Sequence, residues 1–273
     1  MVFSDLKHVP NTRPPAAWIG GKRVLAARLV TLIEATPHSI YAEAFVGMGG
    51  VFFRRRKVPR SEVINDRNGD VVNLFRILQR HYPQFMDTLK FQITSRREFE
   101  RLKACDPSTL TDLERAARFV YLQRLAFGGK VSGQNFGISY KEGARFNLNR
   151  LAPLLEDVHE RLAGVVIENF DWLAFIDRYD RPETLFYLDP PYWGSEDDYG
   201  KQLFSRDQFA VMASRLAHLK GSFILSLNAV QGVFEAFSAF KTEEVDCTYT
   251  VGGRGHSKLV KEVIISHLRS KEG

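Results

Sequence analysis

Residues Thr184–Tyr192 read TLFYLDPPY, an apolar run that stops abruptly at a carboxylate, two prolines and an aromatic ring. A run apolar on both faces reads as a buried strand of a parallel sheet. Asp-Pro-Pro ends it stiffly, because each proline fixes φ and removes an N–H donor. Such a turn holds the Asp189 carboxylate and the Pro190 carbonyl as two acceptors at a strand's end, with Pro191 keeping the turn rigid and Tyr192 offering a flat face. These four are the candidate catalytic residues. The trio of two acceptors and a ring suits an exocyclic –NH2 on an extruded base, whose two hydrogens need acceptors and whose ring needs a stacking surface. Stacking of this kind is worth about 1–3 kcal/mol per base. The plainer alternative is a strand-ending turn with Asp189 as an N-cap.

Outward from this stretch, similar short runs recur: Ser39–Glu43 (SIYAE), Glu62–Asp66 (EVIND), Val165–Phe170 (VVIENF), Ser222–Asn228 (SFILSLN) and Glu262–Leu268 (EVIISHL). Helical or polar segments separate them. Strands alternating with helices predict an α/β, doubly wound fold, with ligands at the carboxyl ends of the strands. Residues Leu74–Leu151 break the rhythm with helical pieces (VVNLFRILQRHY, SRREFERLKA, TDLERAARFVYLQRLAF) and a polar, Gly-rich loop, GGKVSGQNFGIS. We read residues 74–151 as an inserted helical subdomain, with 1–73 and 152–273 forming the main domain.

The composition is that of an ordinary globular chain, 44% hydrophobic and 26% charged over 273 residues. No apolar run reaches the roughly 18 residues that span a bilayer. The start, MVFSDLKHVPNTRPP, lacks the apolar core of a signal peptide, so a cytoplasmic protein is expected. Cys105 and Cys247 belong to no CxxC pair, and the seven His lack metal-ligand spacing. Without a GxSxG or HExxH, hydrolase and metalloenzyme readings have no support. The charge is more telling. Lys90–Arg150 holds twelve Lys/Arg against six Asp/Glu, so one segment carries the whole net charge of +6. That concentration fits docking on a phosphate backbone, or equally a helical surface that happens to be basic.

Other segments carry small-molecule signals. Ala42–Phe53 (AEAFVGMGGVFF) places Gly47 and Gly49 after a strand, where a missing Cβ permits φ > 0 and close approach to a ligand. Alone it serves equally as a plain βα turn. Phe45 sets an aromatic beside it, and Asp66 follows the next strand, where a carboxylate accepts hydrogen bonds from ribose hydroxyls or simply caps a helix. Trp18-Ile19-Gly20-Gly21-Lys22 and Glu168-Asn169-Phe170-Asp171 complete the set.

Taken together these segments resemble the Dam-type (class alpha) S-adenosylmethionine-dependent DNA adenine-N6 methyltransferases. The DPPY of Asp189–Tyr192 is similar to that family's catalytic motif. Glu43–Gly49 resembles its Glu-Pro-Phe-x-Gly-x-Gly, with Ala44 in place of the proline. Asn65–Asn68 resembles N-D-x-N, Trp18–Lys22 resembles W-x-G-G-K, and Phe170-Asp171 resembles an F-D element near the cofactor's adenine. The order of motifs matches members whose target-recognition region lies in the middle. The resemblance implies a Rossmann-like, mostly parallel seven-stranded sheet and S-adenosyl-L-methionine as methyl donor. Trp18, Lys22, Glu43, Phe45, Gly47, Gly49, Asp66, Phe170, Asp171 and Asp189 would lie around that donor. It further implies double-stranded DNA as partner and residues 74–151 as the target-recognition subdomain. We expect a monomer that needs neither membrane nor metal.

Members that read GATC carry N-R-T-x-F-N-G, whereas this chain has Gln123–Lys130 (QRLAFGGK), so the target sequence does not carry over. Arg124, Lys130, Gln134, Asn135 and Arg145 are candidate DNA contacts, since Arg suits guanine and Asn or Gln suits adenine in the major groove. A solvated loop is an equal reading for any one of them. Trp193–Phe204 and Gly252–Lys258 are lids that order on substrate binding, or long surface loops. Competing functions are a cytosine-N4 or RNA amino-methyltransferase and a non-catalytic DNA-binding regulator. Asp rather than Ser at position 189 favours adenine.

Overall fold

The β-branched runs pair into one sheet, and their alternation decides what each face buries. A computed structural model describes residues 6–18, 20, 22, 24–131, 133–137, 145–194, 204–250 and 257–268. Two short strands, β1 (Lys7–His8) and β3 (Lys57–Val58), form a small antiparallel pair. The main sheet contains β2 (Ile40–Glu43), β4 (Ser61–Asn65), β5 (Val166–Glu168), β6 (Thr184–Leu188), β7 (Ser222–Asn228), β8 (Lys241–Thr250) and β9 (Ser257–His267). Its seven strands run in the order β5-β4-β2-β6-β7-β9-β8, parallel from β5 to β7. The α/β, mostly parallel, Rossmann-like fold expected from the sequence is therefore present.

Three details differ from the sequence reading. Strand β8 (KTEEVDCTYT) went unread, because as an edge strand it pairs only with β9 and its exposed side is charged. Strand β9 is antiparallel to β7 rather than parallel, since it returns from β8 as the second arm of a hairpin. The run Val165–Phe170 shortens to Val166–Glu168, because the Phe170 N–H goes to the Asn65 side chain instead of a ladder.

Side chains one residue apart point to opposite faces. Tyr41, Ile64, Leu185, Tyr187, Ile224 and Ile264 face one apolar cluster. Ala42, Val63, Phe186, Leu188, Leu225 and Val263 face the other. The first face is covered by α1 (Ala26–Ala35), α2 (Gly69–Arg80), α3 (Tyr82–Leu89), α5 (Asp112–Leu125) and α6 (Leu148–Leu162). Helix α4 (Arg96–Ala104) packs on α5 through buried Phe99. The second face is covered by α7 (Trp172–Tyr179), α8 (Gln208–Ala217) and α9 (Gln231–Ala236). Helix α5 starts at a reciprocal cap: Thr111 Oγ1 accepts the Glu114 N–H while Glu114 accepts the Thr111 N–H. The subdomain boundaries drawn from the sequence fall inside α2 and α6, and these helices share their core with the sheet. Among the described residues no helix is long and apolar enough to cross a membrane.

At the end of β4 away from the strand's carboxyl terminus, Glu62 lies buried between two guanidiniums. Arg161 donates to it at 2.7 and 2.8 Å, and Arg55, wholly buried over the Tyr41 ring at 3.5 Å, donates to it as well. Burial pushes the Glu62 carboxyl up, but the two arginines outweigh it and hold it below the usual range. Removing the anion strands two buried cations, so Glu62→Ala is expected to destabilise the fold by about 3–5 kcal/mol in urea unfolding. A loss below about 1 kcal/mol would show that water or another anion already screens the pair.

Candidate active site

In a doubly wound sheet the crevice opens where the strand order reverses. Here that place lies between β2 and β6, since the chain steps from β2 outward through β4 to β5 and returns to β6. The carboxyl ends of β2, β4 and β6 bring Glu43, Asp66 and Asp189 to the rim of one cavity of about 740 Å³. Trp18, Lys22, Phe45, Gly47, Arg124 and Pro191 line it too, together with Arg13, Arg54 and Phe204.

One wall is a glycine turn held by a carboxylate. The Gly47 N–H and the Asn68 N–H each donate to Asp66 at 2.8 Å, to different oxygens. Burial pushes the Asp66 carboxyl up to about 6, against the pull of these two N–H groups. Each oxygen keeps a further lone pair, so two hydroxyl donors can still be accepted. Gly47 has φ +50°, and a Cβ there would stand 2.6 Å from Nε1 of Trp18. Only glycine lets the indole close over the turn. Gly49 (φ +74°) plays the same part toward Phe53 and lies behind the lining. Asn65 ties the turn to its neighbours: its amide donates to the Ala44 and Phe170 carbonyls and accepts the Phe170 N–H.

The opposite wall is the Asp-Pro-Pro-Tyr turn. Asp189 is one-fifth exposed. Lys22 Nζ lies 2.7 Å from its Oδ1, and Ser226 Oγ donates to the same oxygen at 3.1 Å. Burial, above all, pushes the Asp189 carboxyl up to about 6; Lys22 pulls it down and Glu262 raises it. Pro190 is buried, and Tyr192 is half-buried with its hydroxyl 2.6 Å from Lys22 Nζ. The turn's far end is clamped by Asn228, whose side chain exchanges two 3.0 Å bonds with the Trp193 backbone. The Trp193 ring packs on Phe209 and lies so close to Gly232 that a Cβ there would meet it at 2.3 Å. Between the walls, Tyr41 donates to Glu43 at 2.6 Å, and burial above all raises the Glu43 carboxyl to about 8.

The remaining candidates are placed apart. Asp171 is exposed and caps α7 through the Leu173 N–H, while Phe170 lies outside the lining under Arg178. The 126–136 hairpin is built on the Phe127 N–H to Asn135 carbonyl bond and the Gly137 N–H to Leu125 carbonyl bond. Within it Lys130 and Asn135 are exposed, whereas Gln134 is turned inward and donates to Gln123 and to the Lys130 carbonyl. Arg124 donates to the Pro15 and Arg145 carbonyls, and the half-buried Arg145 packs against Gly137. Residues 195–203 and 251–256, the greater part of the two loops expected as lids, lie outside the described residues. Sequence reasoning passed over Ser226, Asn228, Glu262 and Phe204. For the first three a signal existed: a polar residue within, or at either end of, an apolar run.

Comparison with known proteins agrees with this geometry. The family model of D12 class N6 adenine-specific DNA methyltransferases matches residues 18–251. The chain is 25% identical over 288 residues to the type II methyltransferase M1.LlaDCHI of Lactococcus lactis subsp. cremoris, covering 96% of this chain and 97% of that protein. It is 22% identical over 241 residues to the type II methyltransferase M.CviBI of Paramecium bursaria Chlorella virus NC1A, covering 87% and 91%. A third relative, the DNA N-6-adenine-methyltransferase of Escherichia phage P1, is 25% identical over 278 residues, which cover 92% of this chain and 35% of that protein. The family match runs from the arm that carries Trp18, through both cavity walls, to the end of β8, and on that basis the chain belongs to the D12 class N6 adenine-specific DNA methyltransferases.

Proposed function

We propose that this adenine-specific DNA methyltransferase binds S-adenosyl-L-methionine in the cavity and methylates N6 of an adenine rotated out of double-stranded DNA. One observation carries the reading: the glycine turn with Asp66 and the turn with Asp189 line the same cavity. Its volume of about 740 Å³ is typical of small-molecule sites. The residues fit the donor. Asp66 offers acceptors for two ribose hydroxyls, Phe45 offers an apolar ring, and Gly47 lets a ligand approach the backbone. Glu43, protonated at neutral pH in the free protein, would ionise when an ammonium is brought beside it, releasing its proton to solvent and pairing with the cation.

When bound, the donor supplies a methyl group activated on a sulfonium sulfur, so the reaction calls for no metal. The protein's task is the nucleophile. The amine lone pair of adenine is delocalised into the ring, and acceptors for its two hydrogens favour a pyramidal nitrogen. Asp189 and the Pro190 carbonyl supply those acceptors, and Tyr192 gives the base a stacking face. Pro191 holds the turn so that these groups do not wander. The helical segment 74–151, with its net positive charge, suits the DNA backbone; Lys130 and Asn135 are its exposed candidates on the hairpin.

Asp189→Ala is expected to lower methylation by at least about 10²-fold while leaving DNA binding intact, read by nucleoside mass spectrometry and fluorescence anisotropy. Near-normal N6-methyladenine would remove Asp189 from the mechanism. Because the carboxylate must be ionised to accept, kcat/KM should fall as pH drops through about 6. A flat profile from pH 5 to 8 contradicts an acceptor role. Asp66→Asn should weaken S-adenosylmethionine binding by about tenfold in calorimetry, the worth of one charge-assisted hydrogen bond. An unchanged affinity would place the ribose elsewhere.

A further inference from the structure

Lys22 is an unusual lysine. It is 2% exposed, and its three donors are matched by three acceptors: the Gly20 carbonyl at 3.2 Å, the Tyr192 hydroxyl at 2.6 Å and Asp189 Oδ1 at 2.7 Å. The ammonium also lies 4.2 Å from the centre of the Tyr192 ring. A second carboxylate, the fully buried Glu262, stands 4.0 Å away. At that distance Glu262 acts on the ammonium by charge rather than through a hydrogen bond. It comes from β9, whose antiparallel register sets Glu262 opposite Asn228 of β7, the residue that clamps the catalytic turn. A buried cation costs much unless it is paired, so neither carboxylate is an incidental neighbour.

We propose, resting on the methyltransferase reading above, that Lys22 and Glu262 are positioning residues for methyl transfer. Lys22 locks Asp189 and Tyr192 in register with each other, and Glu262 keeps the ammonium seated between them. Lys22 and Ser226 both bind Oδ1 of Asp189, which assigns Oδ2 to the substrate amine. The two residues also act on Asp189 in opposite senses: the cation favours its ionised form and the anion disfavours it. Burial, the largest influence, makes Asp189 more basic than an ordinary aspartate; Lys22 draws it back down, and Glu262 offsets part of that pull. Other titratable groups facing this cluster are Glu43 and Tyr41 on β2, Tyr187 on β6, Tyr192 on the turn and Cys247 on β8.

The test is the pH profile of kcat/KM for Glu262→Gln and Lys22→Met beside the wild type. Glu262→Gln keeps shape and removes the anion, so its acid limb should move down by about half a pH unit. It should lose about tenfold in kcat with donor and DNA affinities within about twofold, since Glu262 lies outside the cavity lining. Lys22→Met should move the limb up and lose about 10²-fold in kcat, and Lys22→Arg should restore the limb. Limbs that move the same way, or a Glu262→Gln limb within about 0.2 unit of wild type, overturn the proposal. If Lys22→Met is too slow to profile, the Glu262→Gln limb decides alone. A wild type that makes no N6-methyladenine would sink the enzymatic reading itself; a wild type that methylates with unmoved limbs sinks only this inference.

Discussion

Two strands far apart in sequence, β2 and β6, lie side by side at the centre of the sheet, and everything functional follows from that adjacency. Connections leave their carboxyl ends in opposite directions, one toward β4 and one toward β7, so no loop fills the gap between them. Apolar clusters on both faces hold the strands in this order. Period-two alternation then does the rest. Glu43, Asp189, Ser226 and Glu262 share the parity of Tyr41, Tyr187, Ile224 and Ile264, and so converge on the face that α1, α2, α3, α5 and α6 cover. A slip of one residue in any of these strands would send its polar group into the other core.

The cavity is closed by an arm rather than by the sheet. Arg13, Trp18, Gly20 and Lys22 of this arm line the cavity, and the inserted helices hold residues 15–18 in place. Gln123 donates to the Ala17 carbonyl and to the Gly129 carbonyl, while Arg124 reaches the Pro15 carbonyl. Gly129, at φ +70°, is so close to the arm that a Cβ would meet backbone atoms of Ala17 and Trp18 at 3.0 Å. The hairpin proposed to face DNA is thus bonded directly to the wall of the proposed donor site. Arg124 and Gln134, candidates for reading DNA, also take part in this framework, Arg124 donating to the Pro15 carbonyl of the arm and Gln134 to the Lys130 carbonyl of its own hairpin.

Buried charge is used in two ways. Around Glu62 two guanidiniums face one carboxylate, the anion is held low, and the cluster is a strut between β4 and α6. Around Lys22 one ammonium faces Asp189 and Glu262, and the nearer acid is raised instead. Burial raises both acids; two guanidiniums outweigh it at Glu62, whereas one ammonium does not at Asp189.

The strands, the order of motifs and the turn that bears Asp189 were legible in the sequence, because apolar runs, glycines and prolines act locally on the chain. So were Gly47 and Asp66 as neighbours, since each ends a strand of a parallel sheet. The edge strand β8 was not, because its exposed side chains include Lys241, Glu244 and Asp246, which interrupt any apolar run. Phe170 and Asp171 follow a strand in the same way as Asp66, yet they lie outside the cavity lining, because β5 is the edge strand and its carboxyl end, parallel to that of β4, stands one strand farther from the crevice. Only the tertiary structure decided the company of Lys22. Its partners come from an arm, a turn and the last strand, and their meeting depends on the antiparallel return of β9 beside β7, a pairing that no local pattern of residues encodes.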